Sequence, residues 1–218
     1  MRILSIPTET HGRILIEDSA DDGSARLLIG CHGYGQSADA MMEELRRIPG
    51  RERWRLVAVQ ALHRFYTRND QAVVASWMTR QDREAAIADN IAYLDRAVTA
   101  SGGDDAEAIL FLGFSQGASM VARAAVRGAR RAAGLIMLGG DIPPDLRGDE
   151  SLTFPPVLIG AGSQDTWYGE RVGSDLAFLE RRGIPHEIVR FDGGHEFTDE
   201  FQAAAGRWLD AIAPPAMK

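Results

Sequence analysis

The sequence predicts an α/β fold, a mainly parallel sheet with helices on both faces. Short apolar runs alternate with longer runs of helical period along most of the 218 residues, the pattern of repeated βαβ units. Runs such as "ARLLIGCHG" (25–33) are apolar throughout rather than alternating, as strands covered on both faces must be. The length suits one domain, 1–218, with a single sizeable core, and no internal repeat or low-complexity tract divides it.

Taken in order, "RILSI" (2–6) and "RILIED" (13–18) flank the turn-like "TETHG" and are expected to form an antiparallel hairpin. Residues 25–33 are the first buried strand. Residues 37–48 read as a helix with Ser37 as its N-cap. A strand follows at 54–61, then an irregular segment at 62–79, the main candidate for a small lid. Residues 82–100 form a strong helix, 106–114 a strand, 116–129 an alanine-rich helix and 132–140 a strand. The Pro-rich 141–156 reads as a loop. Then come a strand at 157–162, a helix at 169–183, a strand at 186–191 and a last helix at 196–212. In such sheets ligands bind at the carboxyl ends of the strands, so functional residues are expected just after strands.

Composition narrows the function classes. Hydrophobic residues make up 45% and charged residues 25%, and the formal charge is −7, which argues against nucleic acid or an anionic membrane as the main partner. No segment approaches the roughly 18 apolar residues of a membrane span, and the N-terminus lacks a signal-peptide core. Cys31 is the sole cysteine, so no intrachain disulfide forms, and it is expected to pack as a small buried residue. A cytoplasmic protein acting on a small molecule is the expectation. No zinc-type spacing and no phosphate-loop pattern occurs in the sequence, so neither metal nor cofactor is expected. Oligomeric state is not encoded in any pattern we recognise.

The stretch "AEAILFLGFSQGAS" (106–119) carries the chemistry. A strand-like run stops at Gly113, Ser115 follows alone, and Gly117 opens a helical run. Gly-x-Ser-x-Gly at a strand-to-helix corner suits a nucleophile. The tight turn exposes the hydroxyl, crowding forbids side chains two residues away, and the helix N-terminus points amides at the group attacked. The plain alternative is a structural turn with Ser115 as a helix cap.

A serine hydroxyl needs a base, and the base needs an orienting acid. Five histidines are available. His11 lies in the N-terminal turn, His63 in the irregular segment, and His186 at the wrong end of a strand. His32 follows an early strand. His195, in "FDGGHEF" directly after the last strand, is preferred because the histidine comes last in this chain order. Asp165 in "VLIGAGSQD" is the preferred acid. Asp141 is second and reads better as a loop cap, and Asp192 lies too close to His195. For the oxyanion hole, the Gln116 backbone N–H supplies one donor and "CHGYGQS" (31–37) the other, with Tyr34 N–H the choice. Trp77, Met78, Trp167 and Tyr168, with the Tyr34 side chain, are candidates for a substrate pocket. Arg64, Arg68 and Arg80 flank the irregular segment and read as solvated surface charge.

"CHGYGQ", "GFSQG", "GSQDTWY" and "FDGGHEF", in that order, resemble the phospholipase/carboxylesterase group of α/β-hydrolases, which includes small carboxylesterases and acyl-protein thioesterases. The resemblance covers nearly the whole chain. It implies an α/β-hydrolase fold with no large cap domain, a Ser115–His195–Asp165 triad, and a small ester substrate. "QALHRFYTRNDQAVVASWM" (60–78) stands where acyl-protein thioesterases carry a proline-rich segment, and the acid motif continues "DTWYGE". Both place the chain nearer a bacterial-type esterase branch. Dienelactone hydrolases carry cysteine where this chain has Ser115. The expected function is a serine carboxylesterase. The alternatives are a thioesterase or lysophospholipase on long acyl chains, and a silent hydrolase-fold binding protein.

Overall fold

The computed structural model describes residues 1–20 and 26–212. Among the described residues nine strands are present: β1 (Arg13–Glu17), β2 (Arg26–Cys31), β3 (Arg55–Gln60), β4 (His63–Tyr66), β5 (Val73–Ser76), β6 (Ala108–Phe114), β7 (Gly134–Leu138), β8 (Val157–Gly162) and β9 (His186–Phe191). The helices are α1 (Ala38–Arg46), α2 (Arg83–Ala100), α3 (Gln116–Arg127), α4 (Pro144–Arg147), α5 (Thr166–Arg181) and α6 (Asp199–Ile212), with a 3-10 turn at Arg51–Arg53.

Seven strands make one sheet in the order β1-β3-β2-β6-β7-β8-β9, and every neighbouring pair but β1–β3 is parallel. This is the α/β-hydrolase arrangement. The chain runs from β2 outward to β3, then returns across β2 to β6. The strand order therefore reverses between β2 and β6, and such a switch point opens a crevice at the carboxyl ends of the two strands. Cys31 at the end of β2 stands opposite Gly113 of β6 in the ladder.

Side chains of the central strands alternate between two cores. Leu27, Ile29, Val57 and Phe111 pack with Leu94, Met120, Val121 and Phe178, so α2, α3 and α5 cover one face. Leu28, Leu56, Leu110 and Leu112 pack with Met41, Leu45, Phe201 and Trp208, so α1 and α6 cover the other. The fully buried aliphatic positions each contribute roughly 1.5–3 kcal/mol, which fixes register, because a slip of one residue would exchange the two faces.

Most elements lie where the sequence predicts them. The N-terminal hairpin does not form. Residues 2–6 are not a strand, and β1 pairs with β3 instead, from Arg13↔Gln60 to Glu17↔Leu56. The connecting turn is held elsewhere: Arg64 donates to the His11 carbonyl at 2.6 Å, and Tyr93 Oη to the Arg13 carbonyl at 2.9 Å. The segment 62–79 is not irregular, since β4 and β5 form an antiparallel hairpin within it. Its turn is closed by Thr67 N–H to the Ala72 carbonyl at 3.0 Å and Ala72 N–H to Thr67 Oγ1 at 3.0 Å. No large cap stands over the sheet among the described residues.

The loop 141–156 contains α4, which starts with proline at its first position, where no amide donor is lost. Buried Arg123 of α3 holds α4 through a paired contact to Asp145, at 2.6 and 3.1 Å. Burial pushes the Asp145 carboxyl up, but the Arg123 guanidinium outweighs it and holds that carboxyl below its ordinary value. α5 begins at Thr166 rather than 169, because Asp165 caps it. α6 begins at Asp199 rather than 196. Residue 25 of the first predicted strand lies outside the described residues.

Candidate active site

Ser115 follows β6 directly and precedes α3. Its backbone stands at φ 53° and ψ −118°, a region that non-glycine residues rarely occupy. Its N–H donates to the Leu138 carbonyl of β7 at 2.8 Å, which anchors the turn to the neighbouring strand. The flanking glycines answer to space. A Cβ on Gly113 would lie 2.5 Å from the Gly117 carbonyl oxygen, and one on Gly117 would lie 2.2 Å from the Cys31 carbonyl oxygen. Both obstacles are backbone and cannot rotate away.

Asp165 stands just past β8. Its Oδ1 accepts from the N–H groups of Trp167 and Tyr168 at 3.1 and 2.9 Å, capping α5. Its Oδ2 accepts from His195 Nδ1 at 2.6 Å. One carboxylate thus caps a helix and orients an imidazole. A carboxylate partner at Nδ1 makes that nitrogen the donor and leaves Nε2 unprotonated, as a general base requires. His195 lies in the loop after β9, between the rings of Phe114 and Trp167, with centroids 4.9 and 5.8 Å away.

The other candidates fall elsewhere. Asp192 accepts from Ser163 Oγ at 3.2 Å and Gln164 Nε2 at 3.0 Å, clasping the loops after β8 and β9. Asp141 faces Ser119, with Oδ1 3.4 Å from its Oγ, and no hydrogen bond joins it to His195 among the described residues. His32 is fully buried. Its Nδ1 donates to the Gly33 carbonyl at 2.7 Å, and its Nε2 accepts from Ala61 N–H at 3.1 Å. Burial lowers the His32 pKa, although the bond to Gly33 opposes the shift, so His32 is a neutral tie. Cys31 is buried, and burial raises its pKa well above the ordinary thiol value.

The backbone amides of Tyr34 and Gln116 arise on the two sides of the switch point, after β2 and after β6. Neither finds an acceptor among the described residues. The Gln116 side chain does: Oε1 accepts from Trp77 N–H at 2.8 Å and Ser76 Oγ at 3.2 Å, and Nε2 donates to the Met78 carbonyl at 2.9 Å.

A cavity of about 600 Å³ opens here, lined by Ser115, Gln116, His195 and Tyr34. No hydrogen bond joins Ser115 to His195 among the described residues, and catalytic bonds commonly tighten only on substrate binding. Met78 and Trp167 line the cavity, as the sequence suggests for a pocket. Trp77 and Tyr168 do not. Both are fully buried, because each polar tip has an internal acceptor: Trp77 Nε1 donates to the His32 carbonyl at 2.7 Å, and Tyr168 Oη to Asp175 Oδ2 at 2.9 Å. Arg64, Arg68 and Arg80 are outside the lining, whereas Arg83, Ser119 and Asp141 are in it. Sequence reasoning missed Arg83. The signal available was its position as first residue of α2, the helix that follows segment 62–79.

On the buried side of α5, Asp175 accepts from Ile142 N–H at 3.0 Å and pairs with Arg147. Burial outweighs that pairing and pushes the Asp175 carboxyl up to about 6. Burial, then Asp175 itself, raises the Tyr168 phenol. Among the described residues no group of three His, Cys, Asp or Glu side chains is placed to hold a metal ion, and no helix is long and apolar enough to cross a membrane.

The phospholipase/carboxylesterase family model matches residues 14–190, a span that holds Ser115 and Asp165 and stops short of His195. No functionally curated protein matches the chain. Among solved structures, esterase PE8 shares 21% identity, covering 93% of this chain and all of that one, with a TM-score of 0.75. A carboxylesterase from Mesorhizobium loti shares 25% identity over 91% of this chain and 93% of its own, with a TM-score of 0.70. The Bacillus cereus carboxylesterase, at 16% identity, covers 92% and 94% with a TM-score of 0.69.

Proposed function

The chain belongs to the phospholipase/carboxylesterase family, and from that premise we propose that its 218 residues are one catalytic domain, a serine carboxylesterase that cleaves small esters by acyl transfer. The observation that carries the proposal is the 2.6 Å bond from His195 Nδ1 to Asp165, on a cavity that Ser115 shares.

In the first step His195 Nε2 takes the Ser115 hydroxyl proton as Oγ attacks the ester carbonyl. Asp165 keeps the proton on Nδ1 and stabilises the imidazolium that forms. The Tyr34 and Gln116 amides donate to the oxyanion, each worth about 3 kcal/mol of barrier by comparison with measured donors. The imidazolium gives its proton to the leaving alkoxide, and the acyl group remains on Ser115. In the second step His195 deprotonates a water that attacks the acyl-enzyme, and the carboxylic acid leaves as Oγ recovers its proton.

Wild type and Ser115→Ala, treated with a fluorophosphonate and weighed intact, test this reading. One adduct on wild type and none on the variant is the expected result, together with loss of turnover on a p-nitrophenyl ester. An unlabelled, folded wild type would return Ser115 to a turn residue and favour a silent binding protein.

One observation favours the long-chain alternative. A neighbouring cavity of about 550 Å³ also touches Arg83; Ile87, Ala88 and Ile91 of α2 give it an apolar strip, and Glu84, Arg127 and Asp145 add charge to its lining. A turnover series in acyl length, with esters and thioesters, separates the two: KM falling steadily beyond short chains supports a thioesterase or lysophospholipase.

A further inference from the structure

We infer that the segment 75–78 is a strut that sets the distance between the two oxyanion amides, with Trp77 and the Gln116 carboxamide as its positioning residues. This rests on the reading of Tyr34 and Gln116 N–H as the oxyanion donors. Those donors come from segments far apart in sequence. The ladder fixes Cys31 against Gly113, but Tyr34 lies three residues past the end of β2, beyond the reach of that ladder.

The strut supplies the missing tie on both sides. Toward the Tyr34 loop, Gly35 N–H donates to the Ala75 carbonyl and Ala75 N–H to the Gln36 carbonyl, both at 2.9 Å. Trp77 Nε1 adds a bond of 2.7 Å to the His32 carbonyl, and the His32 ring is itself held by Gly33 and Ala61. Toward the nucleophile, the Gln116 carboxamide reads the Trp77 N–H at 2.8 Å and the Met78 carbonyl at 2.9 Å, as a neighbouring strand would. Asn90 Nδ2 of α2 holds the Trp77 carbonyl at 2.7 Å. Trp77, His32 and Asn90 are buried, so these bonds are shielded from competing water.

The consequence is specific. Residue 116 offers its backbone N–H to the oxyanion and its side chain to the strut, so slack in the strut appears at the donor. Cutting it leaves Asp165, His195 and Ser115 in place but lets the two amides drift apart. Donors placed for the tetrahedral oxygen act in the transition state far more than on the ground-state ester.

Trp77→Phe removes the indole N–H bond together with part of a buried ring, whereas Gln116→Met keeps the backbone donor and much of the side-chain volume while removing the carboxamide. Each is measured for kcat and KM on p-nitrophenyl acetate, and for Ki of a trifluoromethyl ketone, whose adduct places an oxyanion in the hole. We expect kcat to fall about 10- to 100-fold, KM to stay within about twofold, and Ki to rise in step with the loss in kcat/KM. Folded variants whose kcat is unchanged would overturn the inference. So would a rise in KM alone, which would mark a cavity wall, or a fall in kcat with Ki unmoved. Fluorophosphonate labelling of wild type and Ser115→Ala runs alongside. Unlabelled wild type defeats the serine reading itself, whereas labelled wild type beside fully active strut variants defeats the strut alone.

Discussion

Replacing Gly117 by alanine adds one methyl group at the joint between the nucleophile turn and the oxyanion loop. The new Cβ would lie 2.2 Å from the Cys31 carbonyl oxygen, 2.5 Å from the His32 carbonyl oxygen and 2.7 Å from the Cys31 carbonyl carbon. Ordinary contact begins near 3.4 Å, so the two segments must part by about 1 Å. All three obstacles are main-chain atoms, and the movement falls either on the start of α3, beside Ser115, or on the end of β2, ahead of Tyr34. Overpacking of this kind costs about 1–3 kcal/mol. At about 2–4 °C per kcal/mol for a chain of this size, Tm should fall by roughly 2–12 °C. A shift of about 1 Å in the reacting geometry should lower kcat on the order of 100-fold. Thermal unfolding followed by circular dichroism and steady-state hydrolysis read the two effects. A variant with Tm within about 2 °C and kcat within about twofold of wild type would refute the reasoning, for the backbone would then have room that the distances deny.

Gly173, exposed in α5 with open space where a methyl group would stand, is the converse case: Gly173→Ala should stabilise by about 0.5–1 kcal/mol with unchanged turnover, and a lower Tm would contradict that. Asp165→Asn keeps an oxygen to cap α5 but turns an NH₂ toward His195 Nδ1, which forces the proton to Nε2; kcat should fall about 10³–10⁴-fold with Tm little changed. An active Asp165→Asn would move the acid elsewhere, with Asp141 tested next. Asp175 titrates at about 6 when folded and lower when unfolded, so the native state holds its proton more tightly. Stability from this group is therefore greatest near pH 4 and declines as pH rises through about 6, by roughly 3 kcal/mol at most. Wild type should lose that much of its advantage over Asp175→Asn between pH 4 and 7 in denaturant titrations, and a constant gap would overturn the assignment.

The strands and helices that were legible are those whose burial repeats locally: continuous apolar runs for β2, β6 and β8, and an alanine-rich run for α3. That Ser115, Asp165 and His195 each stand after a strand was legible from the apolar runs that precede them. The parts that were not legible depend on distant partners. Residues 2–6 look as strand-like as β1, but the turn between them is fastened to Arg64 and Tyr93, and no neighbour-to-neighbour rule reports that. The hairpin β4–β5 is hidden by an exposed, polar first strand, "HRFY". Trp77 and Tyr168 read as pocket aromatics because nothing beside them in sequence reveals the His32 carbonyl or the Asp175 carboxylate that buries them. Arg123 is charged and fully buried, against every compositional expectation, because Asp145 lies across from it.

The strand order also sets a timetable. β9 is the outermost strand, it pairs only with β8, and the loop it delivers carries the imidazole. On the acyl-transfer mechanism proposed above, a chain that has placed every earlier strand owns the hydroxyl, the carboxylate and both amides, yet has nothing to accept the proton. On that mechanism, regain of hydrolysis on refolding is a clock for one event, the docking of the edge strand β9. During synthesis from the N-terminus the same geometry keeps the emerging chain chemically silent until its final strand is free to add.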